Sequence, residues 1–379
     1  FMSAIEFTSP SLGSSGVDIS THFLFRASGD PGKEVLEVLT YNNRLFSAAP
    51  LRAVEVVNTD HGKACTVEGK RLLKWLAATP DSLFEVMYDG STVEILTQKG
   101  SMDFQSLDPS KFPFWDKRLK EVKSVSKVTA SRLANALDYA KAFNAVDKAT
   151  ATPELCVSEI QGGRLFASDK RAVTTIRVVG LEQSTLRVHF NDCGAITKAL
   201  AVEKDNEVEV LESPETMVFR RLDGAYLGNG RFRSQFPPLG KVPDESDKDS
   251  LLWEIPKAEL LLIMDFLIPG ADENDARIRF CRPDPDGPVH VSMVAMSGRE
   301  KKLNLPVLLT EHENPGKPAV LSDNGFIIPH EPLRKVIAAW HGENLRMGVN
   351  IKGVTGFTRF VEERAGDMYQ TILMWLRAS

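Results

Sequence analysis

The sequence predicts an α+β protein in which one module of about 120 residues occurs three times. Two similar segments, residues 43–49 and 163–169, lie about 120 residues apart, and each follows a pair of Asn or Gly residues typical of a tight turn. A third turn, at Gly287, lies about 124 residues further on and precedes residues 289–293, which alternate like a strand. Repetition at this spacing predicts three similar domains.

Each copy is also expected to contain amphipathic helices. In the first copy, Leu72, Leu73 and Leu76 fall on one face of a helix, and Pro256 is a typical first-turn residue of another. The five predicted helices are residues 68–77, 129–143, 194–202, 256–268 and 330–341. Residues 9–16 are rich in Ser, Gly and Pro, so the first copy is expected to lack its N-terminal helix.

Charged stretches after Phe-Pro pairs separate the copies. Residues 116–127 and 241–250 are polar and charged, and they are expected to be linkers between domains. These features predict domains at residues 1–122, 123–248 and 249–379.

The composition is that of an ordinary globular protein, with 42% hydrophobic and 26% charged residues and a formal charge of −5. The longest apolar run, residues 260–264, is far too short to cross a bilayer, and without a basic segment followed by an apolar one near residue 1 the protein is not expected to be secreted. Four cysteines without metal-ligand spacing favour a reduced, cytoplasmic protein with no metal site. No cofactor is expected.

Motifs for catalysis are absent from the sequence. Gly69 and Lys70 are not part of a phosphate-binding loop, and Gly13 to Gly16 do not form a nucleophile elbow. A binding protein is therefore favoured over an enzyme. A hydrolase or transferase without a familiar motif is the competing hypothesis, and it requires a turnover that a single side-chain change abolishes.

The positive charge is concentrated on the predicted helices, which together carry about +4 in a chain of −5. If the repeats place these helices on one surface, that surface could follow phosphates without reading bases. The competing interpretation is that Lys and Arg on exposed helix faces only keep the protein in solution.

Ten short segments, in order, resemble the bacterial β sliding clamp, the processivity subunit of DNA polymerase III. They are residues 65–73, 83–86, 104–113, 164–172, 223–224, 230–232, 236–237, 325–326, 343–347 and 372–377. The resemblance implies three clamp-type domains per chain, with antiparallel sheets outside and helices inside. It also implies a head-to-tail homodimer ring that encircles double-stranded DNA without sequence preference and tethers the replicative polymerase. With its first helix missing, a dimer would have ten lining helices where the family has twelve.

The resemblance assigns nine cations to the DNA channel. They are Lys70, Arg71, Lys74, Arg132, Lys141, Lys148, Lys198, Arg334 and Lys335.

It also implies a groove that binds short peptides of the polymerase and the clamp loader. The matching residues are Ser168, Arg171, Ala172, Pro243, Met374, Trp375, Leu376 and Arg377. The sequence departs from the family here, because Lys170 replaces a Gly-His pair and Trp375 replaces a common proline.

Ring closure in the family joins an apolar edge of the first domain to a helix of the third. The matching positions are Met102, Phe104, Phe266, Leu267 and Ile268, for which a place in the core of a single chain is the competing interpretation. The departures predict a divergent clamp, such as one encoded by a phage. The alternative function is a clamp-fold interaction protein that binds replisome partners without encircling DNA.

Overall fold

The fold is taken from a computed structural model of the 379-residue chain. The structure describes residues 1–14, 18–28, 34–51, 63–79, 84–146, 152–203, 205–230, 251–267, 276–284, 287–294, 302–312, 321–352 and 355–377.

Seven α-helices lie in these residues. They are α1 (Met2–Thr8), α2 (Gly69–Ala78), α3 (Asp116–Glu121), α4 (Ala130–Lys141), α5 (Phe190–Ala201), α6 (Lys257–Leu267) and α7 (His330–Ala339). Short 3-10 helices cover Ser9–Ser11, Ile19–Thr21, Pro109–Lys111 and Pro153–Cys156.

The remaining elements are strands. In the first part of the chain they are β1 (His22–Ser28), β2 (Val35–Tyr41), β3 (Leu45–Leu51), β4 (Ala64–Glu68), β5 (Glu85–Tyr88), β6 (Thr92–Thr97), β7 (Gly100–Gln105) and β8 (Lys123–Thr129). In the middle they are β9 (Val157–Gln161), β10 (Arg164–Ser168), β11 (Ala172–Arg177), β12 (Arg187–His189), β13 (Glu207–Glu212), β14 (Thr216–Arg221) and β15 (Tyr226–Gly230). In the last part they are β16 (Leu251–Pro256), β17 (Arg277–Arg282), β18 (Val289–Val294), β19 (Lys302–Leu305), β20 (Leu309–His312), β21 (Leu321–Pro329), β22 (Asn344–Lys352), β23 (Thr355–Arg364) and β24 (Asp367–Arg377).

All five predicted helices are confirmed, although α5 begins at Phe190 rather than near residue 194. The expectation that the N-terminal helix is missing is wrong, because Met2–Thr8 is helical and the Ser- and Pro-containing segment after it forms a 3-10 turn. The helix has no side-chain cap and is stabilised instead by burial of Ile5 and Phe7.

The expectation of a linker over residues 116–127 is also wrong. This segment forms α3 and most of β8. Apolar side chains at Trp115, Leu119 and Val122 pack against the core of the neighbouring sheet and hold the segment in place. The second expected linker, residues 241–250, lies outside the described residues.

The chain divides into two compact units, each assembled from separate stretches. Unit 1 contains residues 1–138, 160–163 and 180–233, and unit 2 contains residues 139–159, 164–179 and 234–379. The division into three domains stays a prediction.

Unit 1 contains an antiparallel eight-stranded sheet in the order β4-β1-β2-β3-β15-β14-β13-β8. Its two faces are distinguished by the pairing of β2 with β3, in which Leu39 lies opposite Ala48 and Thr40 lies opposite Ser47. Since successive residues of a strand point to opposite faces, these two pairs belong to different sides of the sheet.

One face of this sheet carries α1 and α5. The hydroxyls of Thr40 and Ser47 both donate hydrogen bonds to the carbonyl of Thr8, the last residue of α1. Asn229 of β15 lies on the same face and donates to the buried carboxylate of Asp192 in α5.

The other face carries α3. Trp115, next to α3, packs with Leu24, Leu39 and Phe46, and its indole donates a 2.9 Å hydrogen bond to the hydroxyl of Tyr226. The helices α5 and α3 therefore lie on opposite faces of one sheet. A separate three-stranded sheet, β5-β6-β7, also belongs to unit 1.

Unit 2 is built around a larger antiparallel sheet, whose path runs β10-β11-β24-β21-β17-β18-β19. Strand β23 pairs with β24 and, through β22 and β16, leads to β20. Large buried rings form its core, among them Trp253 and the stacked pair Phe280 and Phe326, with ring centroids 5.3 Å apart.

All four cysteines of the chain are buried and form no disulfide. Within the described residues, no helix is long and apolar enough to cross a membrane. The same residues contain no cluster of three or more His, Cys, Asp or Glu side chains that could hold a metal ion.

Candidate nucleic-acid and partner sites

The first group of predicted channel cations lies on the exposed side of α2. Leu72 and Leu76 are buried, whereas Lys70, Arg71 and Lys74 are exposed. Glycine at residue 69 leaves room for the neighbouring chain, since a Cβ there would lie 2.1 Å from a methyl group of Leu12 and 2.9 Å from the carbonyl oxygen of Thr21.

Two of these cations have defined contacts. The Nζ of Lys70 donates a 2.7 Å hydrogen bond to the carbonyl of Ser14, and the guanidinium of Arg71 lies 5.3 Å from the ring centre of Phe104. Lys70 and Arg71 remain exposed in spite of these contacts, so α2 presents three cations on one side of the helix.

Helices α4 and α5 carry the next group. Lys141, near the end of α4, and Lys198 of α5 are exposed, whereas Arg132 is partly buried. Lys148 lies outside the described residues.

The two cations of α7 differ from those of α2 because they are already paired. The guanidinium of Arg334 lies 2.7 Å from the carboxylate of Asp265 in α6, and the Nζ of Lys335 lies 2.9 Å from Asp169. Lys335 also lies 3.6 Å from Glu331. Neutralised cations attract phosphates less than free ones, so this helix is the weaker part of the predicted lining.

The predicted peptide site includes the β10–β11 hairpin. Asp169 accepts hydrogen bonds from the backbone nitrogens of Arg171 and Ala172, and Lys170 has a positive φ of 75°. Ser168 is buried and donates to the carbonyl of Ala172. The hairpin is therefore a rigid turn.

The same turn is held against α7, because Lys335 pairs with Asp169 and Arg171 lies 3.3 Å from Glu331. Lys335 is thus a partner of the predicted peptide site as well as a predicted channel residue, which the sequence did not indicate.

The C-terminal part of the predicted peptide site lies in β24. Ala172 is opposite Leu373, and the backbone of Met374 and Trp375 pairs with Phe357 and Gly356 of β23. Leu376 and Arg377 pair with Ile327 and Phe326 of β21. For residues 374–377 only the backbone is described, and Pro243 lies outside the described residues.

The predicted dimer contacts fall into two classes. Phe104 and Leu267 are buried in their own units, with 1% and 3% of their surface exposed, so a partner could contact little of either side chain. Phe266 is 59% exposed, and Met102 is partly buried. Ile268 lies outside the described residues.

Sequence reasoning missed Leu262, which is 66% exposed on α6. It lies four residues before Phe266, so the two side chains are neighbours on one face of the helix. The signal was present in the sequence, since an apolar run on a helix with one buried stripe leaves some of its members exposed.

Comparison with known proteins gives the fold. No family model matches the chain, and no curated protein matches it. Among solved structures, the DNA polymerase sliding clamp of Pseudomonas aeruginosa matches with a TM-score of 0.77 over 98% of this chain and 96% of that one, at 13% identity. The chain has the sliding-clamp fold.

Other sliding-clamp structures agree. The DNA polymerase III beta subunit of Thermotoga maritima matches with a TM-score of 0.76 at 14% identity, over 100% of this chain and 97% of that one. The beta subunit from the DNA polymerase of Streptococcus pyogenes matches with a TM-score of 0.77 at 12% identity, over 98% and 96%. The α+β sliding-clamp fold predicted from the ordered motifs is confirmed, and the identities agree with a divergent sequence.

Proposed function

We propose that the chain is a DNA sliding clamp, a non-catalytic processivity factor that forms a homodimeric ring around duplex DNA. The observation that carries this proposal is the sliding-clamp fold over nearly the whole chain, together with exposed cations on α2, α4 and α5. A tether of this kind binds phosphates diffusely, because base-specific hydrogen bonds would stop it from sliding.

The first helix supports a ring of the family's ordinary size. With α1 present, helices α1, α2, α4, α5, α6 and α7 supply two helices for each of the three proposed domains. Two chains would then line the channel with twelve helices rather than ten. The short helix α3 is not counted, because it lies on the opposite face of its sheet from α1 and α5.

We place dimer closure on the exposed face of α6, with Phe266 and Leu262 as the apolar contacts. We also propose that the surface beside the β10–β11 hairpin and β24 binds short peptides of a polymerase and a clamp loader, by docking of an extended segment with apolar anchors. A factor that acts on replicating DNA in this way would work in the cytoplasm without a cofactor.

Topology provides the deciding experiment. The labelled protein is incubated at low salt with linear duplex, onto whose free ends a closed ring can thread. The DNA is then circularised with ligase, free protein is removed by gel filtration, and half of the sample is cut once with a restriction enzyme. A ring is retained on the closed circle and lost from the linear form of the same sequence.

Equal retention on both forms, or none on the circle, would contradict encirclement. Equal retention combined with capture of polymerase peptides would favour the alternative, a clamp-fold interaction protein that does not surround DNA.

A further inference from the structure

A second positively charged surface lies on the face of the unit 1 sheet opposite to α5. It consists of Lys117, Arg118 and Lys120, and we call these three residues the α3 patch. Residues 111–127 carry a charge of about +4 in a chain of −5. Sequence reasoning missed this surface because it treated the segment as a linker.

Helix geometry explains why these charges are exposed. Trp115 and Leu119 are four residues apart and pack inward, so Lys117 points away from the sheet and Arg118 and Lys120 flank it. All three cations of the α3 patch are exposed, and they are fixed to the sheet through the buried ring of Trp115.

The nearby carboxylates leave most of this charge unbalanced. Asp116 is held by Arg26 of β1, at 3.2 Å, and Arg26 also pairs with Glu37 at 3.0 Å. Glu121 is exposed on α3 itself. Among the described residues, no ion pair within 4.0 Å is formed by Lys117, Arg118 or Lys120.

An exposed aromatic ring accompanies the charges. Phe114 is 49% exposed, three residues before Lys117, and one side of its ring faces the guanidinium of Arg26 at 5.4 Å. Cations that follow a backbone, next to an aromatic ring on which a base can stack, are the features that bind single-stranded nucleic acid without sequence preference. An acidic peptide would use the charges but not the ring.

We propose that the α3 patch and Phe114 form a binding surface for single-stranded nucleic acid, distinct from the cations of α2 and α5. The surface is defined by unit 1 alone and does not depend on encirclement of duplex DNA. It would hold an unpaired strand on the far side of the sheet from the helix that carries Lys198.

The test measures binding of the full chain to fluorescein-labelled dT20 by fluorescence anisotropy at 50 and 200 mM NaCl. The patch variant combines Lys117→Gln, Arg118→Gln and Lys120→Gln. Its matched control combines Lys99→Gln, Lys302→Gln and Arg346→Gln, which are also exposed and change the net charge equally. Circular dichroism and thermal melting of both variants check that the fold is kept.

The patch variant is expected to bind dT20 at least about tenfold more weakly at 50 mM NaCl, with a salt slope lower by about 2, because three phosphate contacts are lost. The control variant should stay within about twofold of the unmodified chain. An equal loss in both variants would overturn the proposal, since bulk charge would then explain the binding.

Two further measurements exclude other ligands and other sites. Phe114→Ala should weaken binding of dT20 by about fivefold or more while leaving binding of a poly-glutamate peptide unchanged. A patch that binds poly-glutamate as well as dT20, with no effect of Phe114→Ala on either, is a surface for acidic peptides and would overturn the proposal.

A variant of the proposed channel tests the site. Lys70→Gln, Lys74→Gln and Lys198→Gln together should keep dT20 binding within about threefold of the unmodified chain. Loss of dT20 binding in this variant would place the strand in the proposed channel and overturn the proposal.

The outcome is separable from that of the ring experiment. The patch variant should be retained on closed circular duplex as well as the unmodified chain. Failure of ring retention with dT20 binding intact contradicts only the clamp proposal, and the reverse result contradicts only the single-strand surface.

Discussion

His22 is the first residue of β1, and its side chain is buried. Its Nδ1 lies 3.1 Å from the hydroxyl of Thr21, and burial lowers the pKa of the ring below its ordinary value. Nearby Asp18 and Glu68 oppose this change but do not reverse it. The folded chain therefore holds this side chain in its neutral form.

A dependence of stability on pH follows from this difference. Between the lowered pKa of folded His22 and the ordinary value near 6.5, the unfolded chain binds more protons than the folded one, so stability falls as the pH drops through this window. The free energy of unfolding, measured with urea at pH 7.5 and at pH 5.5, should differ less between the two pH values for His22→Gln than for the unmodified chain. Identical differences would show that His22 does not contribute.

A buried carboxyl group on α5, which packs on the same sheet, connects three elements. The carboxylate of Asp192 in α5 lies 3.1 Å from the guanidinium of Arg44 and accepts a 3.0 Å hydrogen bond from Asn229. Burial raises the pKa of this carboxyl in spite of both partners. Arg44 belongs to the repeated turn that was visible in the sequence, but its contact with a residue 148 positions away was not.

At the scale of the element, the sequence predicts well what has a strong local period. The helices α2, α4, α6 and α7 were expected close to their observed bounds, because each has an apolar stripe at helical spacing. The hairpin before β10 was expected as well, and its turn glycines have φ values of 59° and 76°. The fold class itself followed from the order of such features along the chain.

The helices α1 and α3, and the first turn of α5, were not predicted, because they depend on contacts with distant residues or on an uncommon capping residue. Helix α1 has no cap, and its last carbonyl is satisfied by Thr40 and Ser47, more than thirty residues away. Helix α3 has only six residues, five of them charged, and depends on the packing of Trp115. Helix α5 begins at Phe190 because the side chain of His189 accepts from the nitrogen of Asn191, and His is an uncommon capping residue.

The candidate sites likewise contain some residues that a local sequence pattern could assign and others that it could not. The exposed cations of α2 could be assigned from sequence because the helix period separates them from Leu72 and Leu76. Pairing of Lys335 with Asp169, and of Arg334 with Asp265, could not be assigned, since both pairs join residues distant in sequence.

Packing of α1 gives a prediction for this element. Phe7 is buried against the sheet, and the guanidinium of Arg221 lies 5.0 Å from its ring centre. Phe7→Ala is expected to lower the free energy of unfolding by about 3–5 kcal/mol, because it leaves a cavity and removes the cation–π contact. Glu6→Ala, on the exposed side of the same helix, is the matched control and should change it by less than about 0.5 kcal/mol in urea unfolding.

At the scale of the whole molecule, the proposed dimer makes a prediction about α6. Leu262 and Phe266 are exposed in the single chain, so Leu262→Asp with Phe266→Asp should leave the fold of the chain intact. If these side chains are buried at the proposed interface, the dissociation constant should rise about 100-fold or more.

Sedimentation velocity across a range of concentrations measures this shift, and circular dichroism checks the fold. Glu259→Ala, exposed on the same helix, serves as the control and should leave the oligomeric state unchanged. A double variant that remains as dimeric as the unmodified chain would remove α6 from the interface.

The proposed channel makes a prediction about salt. Lys70→Ala, Arg71→Ala and Lys198→Ala together should shorten retention on closed circular duplex and lower the salt slope of binding by about 2–3, without any change in sequence preference. The paired cations of α7 provide a comparison, because Arg334→Ala and Lys335→Ala should have a smaller effect per residue. Equal retention of the triple variant would contradict the assignment of these residues to the channel.

The burial of every cysteine makes this chain convenient for thiol chemistry. Burial raises the pKa of the Cys65 thiol to about 12, and the other three sulfur atoms are likewise shielded. A maleimide dye should therefore leave the native chain almost unlabelled, and Glu259→Cys, at an exposed position of α6 outside the proposed contacts, would introduce a single reactive thiol without removal of any natural cysteine. Attachment of a donor or acceptor fluorophore there would report opening and resealing of the assembly molecule by molecule.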